Sequence, residues 1–150
     1  MPLAKNKKKL QQDIIEKFAS KFAHSAKCLY SEATGNLHTQ EVELLKKLGM
    51  TITKQDDMPD IILFDEEKKW LFFVDAVTTD NKAMSSNRVN KLNDLTKNVT
   101  TGKIYVSAFP DFETYKNFIE EIVWGTHAWI ASAPEHMIHF DSGNSQQPSK

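Results

Sequence analysis

The chain has 150 residues, a formal net charge of −1 and 26% charged residues, which is typical of one soluble globular domain and excludes a disordered or fibrous chain. No apolar stretch approaches the roughly 20 residues that a membrane-spanning helix needs, and we expect no membrane partner and no signal peptide. The single cysteine, Cys28, excludes an internal disulfide and indicates a reducing compartment, the cytoplasm.

Nearly all of the basic residues are lysines. Eighteen of the 19 are lysines, and Arg88 is the single arginine. Arginine is the usual reader of guanine and phosphate because its planar donors match two acceptors at once, so a broad base-reading surface is not expected. The lysine-rich residues 1–9 are predicted to form a mobile basic arm, either a solvated tail or a weak attractor of phosphate.

The first half of the chain is predicted to be two helices followed by strands. Apolar residues at helical spacing predict an amphipathic helix over residues 10–24, and a short extended piece is predicted around Cys28 to Tyr30. A second helix is expected from an N-cap at Thr39 to a stop at Gly49. Three candidate strands follow, of which the last two are joined by a charged hairpin loop: 50–53, 60–64 and 70–77.

The second half alternates helices with strands. A helix, a strand, a further helix starting at Asp111 or Phe112, and two extended pieces are predicted over residues 85–98, 103–109, 111–123, 128–131 and 137–140. No internal repeat and no second core is evident. The order predicts an α/β (α+β) sandwich with a mixed sheet, forming one domain over residues 10–140 before a disordered Ser/Gln/Pro-rich tail, 141–150.

The central hairpin brings two carboxylates together in its simplest register. If Asp65 faces Trp70, Asp60 lies opposite Asp75, with Cβ atoms about 4.5–5.5 Å apart. Two carboxylates repel each other there, whereas Mg²⁺ binds a small number of carboxylates and keeps several waters. In the alternative interpretation Asp60 merely caps a strand after Pro59, and a register slip of one residue puts the two acids on opposite faces.

Six segments occur in a specific order along the chain: Met58-Pro-Asp60, Lys69-Trp-Leu-Phe-Phe-Val-Asp-Ala-Val-Thr78, Arg88, Tyr105-Val-Ser-Ala-Phe-Pro-Asp111, Glu121-Ile-Val-Trp124 and Trp129-Ile-Ala-Ser-Ala-Pro-Glu-His-Met-Ile-His-Phe140. Together they resemble the BsuBI/PstI-type restriction endonucleases, closely over residues 58–140 and more loosely over 29–57. The resemblance implies the restriction-endonuclease-like fold of the PD-(D/E)xK nucleases.

The same resemblance implies hydrolysis of phosphodiester bonds in double-stranded DNA with Mg²⁺, or Mn²⁺ in its place, by a homodimer. Asp60 matches the acid of the Pro-Asp motif and Asp75 the second acid, so both are expected to bind the metal. Glu41 is a candidate for a distal metal contact; alternatively it is a first-turn acid favoured by the helix dipole.

Departures from the family pattern leave a second function open. Many nucleases of this fold carry a lysine two residues after the second acid, but Val77 stands here, as in this family generally. Lys82 and Arg88 are therefore the candidates for that catalytic role, with a solvated helix cation as the alternative for Arg88. The second acid is usually Glu, and the family's N-terminal winged-helix-like region is not evident. The alternative function is a catalytically inactive nuclease-fold module that binds DNA or a protein.

Overall fold

The computed structural model describes residues 5–22, 26–31, 39–51, 59–78, 86–123 and 125–140. Its helices, with one π-helical and one 3-10 segment, are α1 (Lys5–Asp13), a π-helical turn (Ile14–Phe18), α2 (Ala19–Phe22), α3 (Thr39–Leu48), α4 (Ser86–Leu95), α5 (Phe112–Phe118) and a 3-10 turn (Ile119–Glu121). Its strands are β1 (Lys27–Ser31), β2 (Ile61–Asp65), β3 (Trp70–Ala76), β4 (Gly102–Phe109), β5 (Thr126–Ile130) and β6 (Met137–Phe140). None of the described helices combines the length and apolar content that a membrane crossing requires.

The six strands form one sheet in which neighbours in space are also neighbours in sequence. β3, β4 and β5 run parallel to one another, while β1, β2 and β6 pair antiparallel to their neighbours. Helix α4 lies between β3 and β4 in the chain, and α5 lies between β4 and β5, as parallel pairs require. The predicted mixed sheet flanked by helices is confirmed.

The central hairpin has the register that the sequence predicts. Asp65 pairs with Trp70 and Ile61 pairs with Val74, joined by a turn over residues 66–69. Lys69 closes this turn with φ of 59°, a left-handed conformation that non-glycine residues rarely adopt. Asp60, one residue before β2, therefore falls opposite Asp75 near the end of β3.

One face of the sheet packs against the N-terminal helical segment. Leu10, Ile14 and Phe18 recur on one side of that segment and are essentially fully buried against β2–β5. Phe18 makes edge-to-face contacts with Phe72 and Trp129, at ring-centroid distances of 5.8 and 5.6 Å. The predicted apolar stripe thus anchors the first helix to the sheet.

Two apolar clusters separate on the opposite face. One contains residues of α3, α4 and the strands, among them Leu45, Leu92, Phe73 and Tyr105. The other gathers Val77, Phe109, Tyr115, Ala128 and Ile130 around α5. The gap between the two clusters is where the sheet presents polar side chains.

Several boundaries differ from the sequence-based expectation, among them the following three. The first helix begins at Lys5, so residues 5–9 are helical where a mobile arm was expected. Lysine is a good helix former, so the helix can continue in the N-terminal direction from the apolar stripe that starts at Leu10. Met50 and Thr51 form no strand, and residues 52–58 lie outside the described part. Helix α5 is regular only to Phe118 before it tightens into the 3-10 turn.

Gly49 ends α3 as predicted, with φ of +106°, and a carbon added to its Cα would overlap the backbone of Asn98. We expect Gly49→Ala to destabilise the protein by about 1–3 kcal/mol, because alanine is strained at this φ and its methyl group would overlap that backbone. Gly125→Ala is the matched control: φ is +91°, but nothing lies within 4 Å of the added carbon. Urea unfolding that shows equal losses for both variants would contradict the proposed close packing at Gly49.

Candidate active site

The alternation of side chains along β3 and β4, together with the register of the β2–β3 hairpin, places three polar residues in the gap between the clusters. Phe73, Asp75 and Val77 follow one another on the same face, with Asp75 between the two apolar groups. Ser107 of β4 is in register with Asp75, and Asp60 lies on its other side. Asp60 and Asp75 are each 5% exposed and Ser107 is fully buried. Sheet geometry alone therefore concentrates these side chains in one place.

Each of the two carboxylates is held by the backbone of the other strand. The Asp60 amide donates to Asp75 Oδ1 at 3.2 Å, and the Ala76 amide donates to Asp60 Oδ2 at 2.8 Å. These reciprocal bonds begin where the regular β2–β3 pairing ends. Hydrogen bonds to a carboxylate stabilise its charged form, so the two N–H groups offset part of the repulsion between the acids.

The single arginine reaches the same carboxylate from α4. Arg88 Nε donates to Asp75 Oδ2 at 2.8 Å and Arg88 Nη2 donates to Asp75 Oδ1 at 3.1 Å. The side chain of Asp75 is 7% exposed and that of Arg88 is 22% exposed. A bidentate pair of this kind fixes the carboxylate plane, and the two acids and Arg88 together carry a formal charge of −1.

Helix α4 carries Arg88 to the site because its other buried residues hold it on the sheet. Leu92 lies one turn after Arg88, and both Leu92 and Leu95 are buried in the apolar cluster of that face. Tyr105 of β4 donates its hydroxyl hydrogen to Asn93 Oδ1 at 2.8 Å. The position of Arg88 thus depends on the contact between α4 and β4.

Burial raises the pKa of the Tyr105 hydroxyl above its ordinary value of 10.0, although its hydrogen bond with Thr96 acts in the opposite direction. The unfolded chain then ionises this tyrosine at a lower pH than the folded protein does. Its contribution to stability is complete below about pH 10 and is lost as pH rises through the folded pKa. We expect Tyr105→Phe to make the alkaline loss of unfolding free energy less steep, and an unchanged slope in urea unfolding between pH 8 and 11 would contradict this assignment.

The structure brings together three of the five predicted site residues: Asp60, Asp75 and Arg88. Lys82 lies outside the described residues. Glu41 falls in α3, but its side chain is outside the described part. The functional roles of all five residues stay predictions.

Two features of the site were missed by the sequence reasoning. The Arg88–Asp75 ion pair was not anticipated because the two residues come from separate elements. Ser107 was given no role; the parallel register of β3 and β4 places it beside Asp75, and that register could not be read from the sequence. Val77 is fully buried in the second apolar cluster, so a hydrophobic residue suits that position.

A second polar pair lies on the other face of the sheet. His127 and His139 are opposed on β5 and β6, with their Nδ1 atoms 2.8 Å apart. His127 is in register with Val106, whose side chain belongs to the cluster around the first helix. The histidine pair is therefore separate from the acidic site.

The donor set of the acidic site fits a hard divalent cation. Two carboxylates on adjacent strands, held rigidly by backbone N–H groups, match the preference of Mg²⁺ for one or two carboxylates with water completing the shell. Within the described ranges, no three His, Cys, Asp or Glu residues form a group that could hold a metal. The two carboxylates that would hold such a cation are Asp60 and Asp75, and Arg88 is bound to the second of them.

Comparisons with known proteins agree with one another. The family model described as "BsuBI/PstI restriction endonuclease domain" matches residues 3–143. The chain is similar to "Type II restriction enzyme BsuBI" of Bacillus subtilis, with 35% identity over 85% of this chain, and to "Type II restriction enzyme AplI" of Arthrospira platensis, with 39% identity over 65%. It is also similar to the solved structure of SdaI restriction endonuclease, with a TM-score of 0.82 and 29% identity over 99% of this chain.

The chain spans less than half the length of each of these relatives. It covers 40% of the BsuBI enzyme, 31% of AplI and 46% of the SdaI chain. The fold of this chain is therefore that of a restriction endonuclease, and the similarity concerns one part of larger enzymes.

Proposed function

This chain belongs to the BsuBI/PstI restriction endonuclease domain family, and we propose that it is the catalytic domain of a Mg²⁺-dependent type II restriction endonuclease that hydrolyses phosphodiester bonds in double-stranded DNA. The observation that carries the proposal is the opposed pair Asp60 and Asp75, which are 5% exposed and bound to each other's strand. A purely structural role does not require two acids side by side.

In this proposal Asp60 and Asp75 hold the cation. Mg²⁺, or Mn²⁺ in its place, would activate the attacking water and neutralise charge on the leaving oxygen when bound there. The chain's own task is to keep the two carboxylates in place, which the N–H groups of Asp60 and Ala76 do. Because backbone atoms hold them, the acids need little reorganisation when substrate arrives.

The remaining candidates contribute positive charge or a further ligand. Arg88 lies beside the acids and is partly exposed, so its guanidinium is suited to bind the phosphate whose bond is broken. Lys82 is proposed to orient the attacking water in place of the lysine that Val77 replaces. Glu41 is proposed as a distal metal contact from α3.

Double-stranded DNA is the proposed partner, and a homodimer is the proposed active form, because cutting both strands of a palindrome uses two sites related by a two-fold axis. The cytoplasm is the proposed compartment. Residues 10–140 are proposed to form the catalytic domain.

Sedimentation of the chain with and without a DNA duplex measures the oligomeric state, and a monomer under both conditions would contradict the homodimer.

A plasmid cleavage assay tests the function. The purified chain is incubated with supercoiled plasmid and Mg²⁺ or Mn²⁺, because a single cut in either strand converts supercoiled to open-circular DNA. We expect cleavage by the wild-type chain, none in the presence of a chelator, and none by Asp60→Asn.

Asp65→Asn is the matched control for that assay. Asp65 is a buried carboxylate at the opposite end of the same hairpin, and its Oδ1 accepts the Lys68 N–H. The amide oxygen of the asparagine in the variant can accept the same N–H. This variant is expected to cleave like the wild type. Equal cleavage by the wild type and Asp60→Asn would remove the catalytic assignment, and metal-dependent cleavage by neither would favour the inactive DNA- or protein-binding module.

A further inference from the structure

We propose that Arg88 competes with the cation for Asp75 and that a DNA phosphate relieves this competition, so that DNA and the cation bind cooperatively. This inference rests on the proposed function of the site. It concerns how the site is regulated, and it makes the ion pair between Arg88 and Asp75 the resting state of the metal-free protein.

The geometry of the pair leaves a cation little room on Asp75. Arg88 donates to both oxygens of Asp75, at 2.8 and 3.1 Å, and the Oδ1 atom also accepts the Asp60 amide. A carboxylate has about four lone-pair sites, and three N–H groups already point at this one. A cation that binds Asp75 must therefore displace the guanidinium or share its oxygens, and in either case two like charges approach each other.

A DNA phosphate can replace Asp75 as the group that Arg88 binds. Its side chain is 22% exposed, while Asp75 is only 7% exposed, so a phosphate from solvent reaches the guanidinium before it reaches the carboxylate. Phosphate and carboxylate present similar paired oxygens, and arginine binds both in a bidentate manner. The chain has no other arginine that could supply this geometry.

The consequence is a linkage between two ligands. When a DNA phosphate takes over the guanidinium, Asp75 loses its counter-ion and its affinity for the cation rises. Linkage is reciprocal, so the cation in turn raises the affinity for DNA. The arrangement keeps Asp75 paired with a cation in the absence of DNA and tightens the metal site where a phosphate is present.

Titration of Mn²⁺ by electron paramagnetic resonance tests the inference, since it counts free Mn²⁺ without relying on activity. We expect Arg88→Gln to bind Mn²⁺ about tenfold more tightly than the wild type in the absence of DNA. A random-sequence 24-base-pair duplex is expected to tighten Mn²⁺ binding of the wild type about tenfold and that of Arg88→Gln by less than about threefold. Asp60→Asn titrated with the same duplex gives the Mn²⁺ that DNA binds by itself.

Thermal unfolding provides a second readout that tolerates a less stable variant. Loss of Arg88 leaves Asp75 without its cation, so the metal-free midpoint of Arg88→Gln should fall, and Mn²⁺ should raise it more than it raises that of the wild type. Arg88→Lys, which keeps the charge without the bidentate geometry, should be intermediate in both measurements.

The possible outcomes separate this inference from the proposed function. If Arg88→Gln binds Mn²⁺ no more tightly than the wild type while Asp60→Asn loses binding, the competition is overturned and the metal site stands. If Asp60→Asn binds Mn²⁺ like the wild type, the proposed metal site is wrong and the competition falls with it.

Discussion

Asp75→Asn is expected to reduce metal-dependent plasmid cleavage by about a thousandfold, because the loss of a metal-binding charge removes several kcal/mol of transition-state stabilisation. The substitution keeps the size of the side chain and an oxygen that can accept the Asp60 N–H. It also removes the carboxylate charge with which Arg88 pairs, so the unfolding midpoint of the variant is measured in parallel to show that the protein under assay is folded.

Asp75→Glu is the charge-conserving companion of that variant. Glutamate is the residue that the resembling family usually carries at this position, and it keeps the negative charge on a side chain one methylene longer. We expect Asp75→Glu to retain activity within about tenfold of the wild type. Equal and severe losses in both variants would show that carboxylate shape matters at Asp75 more than its charge, contrary to the proposed metal role.

Phe18→Ala is expected to destabilise the protein by about 3–5 kcal/mol, the cost of truncating a fully buried phenylalanine. Phe18 has no solvent exposure and joins the first helical segment to the sheet through edge contacts with Phe72 and Trp129. Because small domains are stable by only about 5–15 kcal/mol, urea unfolding should show a large shift of the midpoint.

Phe112→Ala is the control for this core prediction. Phe112 is 57% exposed at the start of α5 and contacts Tyr115 at a ring-centroid distance of 5.4 Å. Its truncation should cost less than about 1 kcal/mol. A similar loss in both variants would contradict the assignment of Phe18 to the centre of the fold.

The fold was predictable where a pattern and its boundaries are local. Leu10, Ile14 and Phe18 mark the first helix, and Gly49 marks the end of the second because its left-handed φ suits glycine alone. The simplest hairpin register placed Asp60 opposite Asp75, with a slip of one residue as the alternative, and the structure has the simplest register. Such features depend on residues close together in sequence, and sequence periodicity therefore detects them.

The rest of the site depends on contacts between distant elements. No local pattern reveals that α4 crosses the sheet at the height of Asp75, since this follows from the parallel pairing of β3 with β4 and from the packing of Leu92. For the same reason Ser107 and the Arg88 ion pair were missed, although Arg88 itself was singled out as the only arginine. The early start of the first helix was missed because lysines carry no apolar signal.

Whether Asp60 and Asp75 together hold a divalent cation is decided by a Mn²⁺ titration in which electron paramagnetic resonance counts the free ion and the bound ion is obtained by difference. We expect a Mn²⁺ site in the wild-type chain that is lost in Asp60→Asn and in Asp75→Asn and retained in Asp65→Asn. Mn²⁺ binding that is the same in all four proteins, or absent from the wild type with and without DNA, would contradict it.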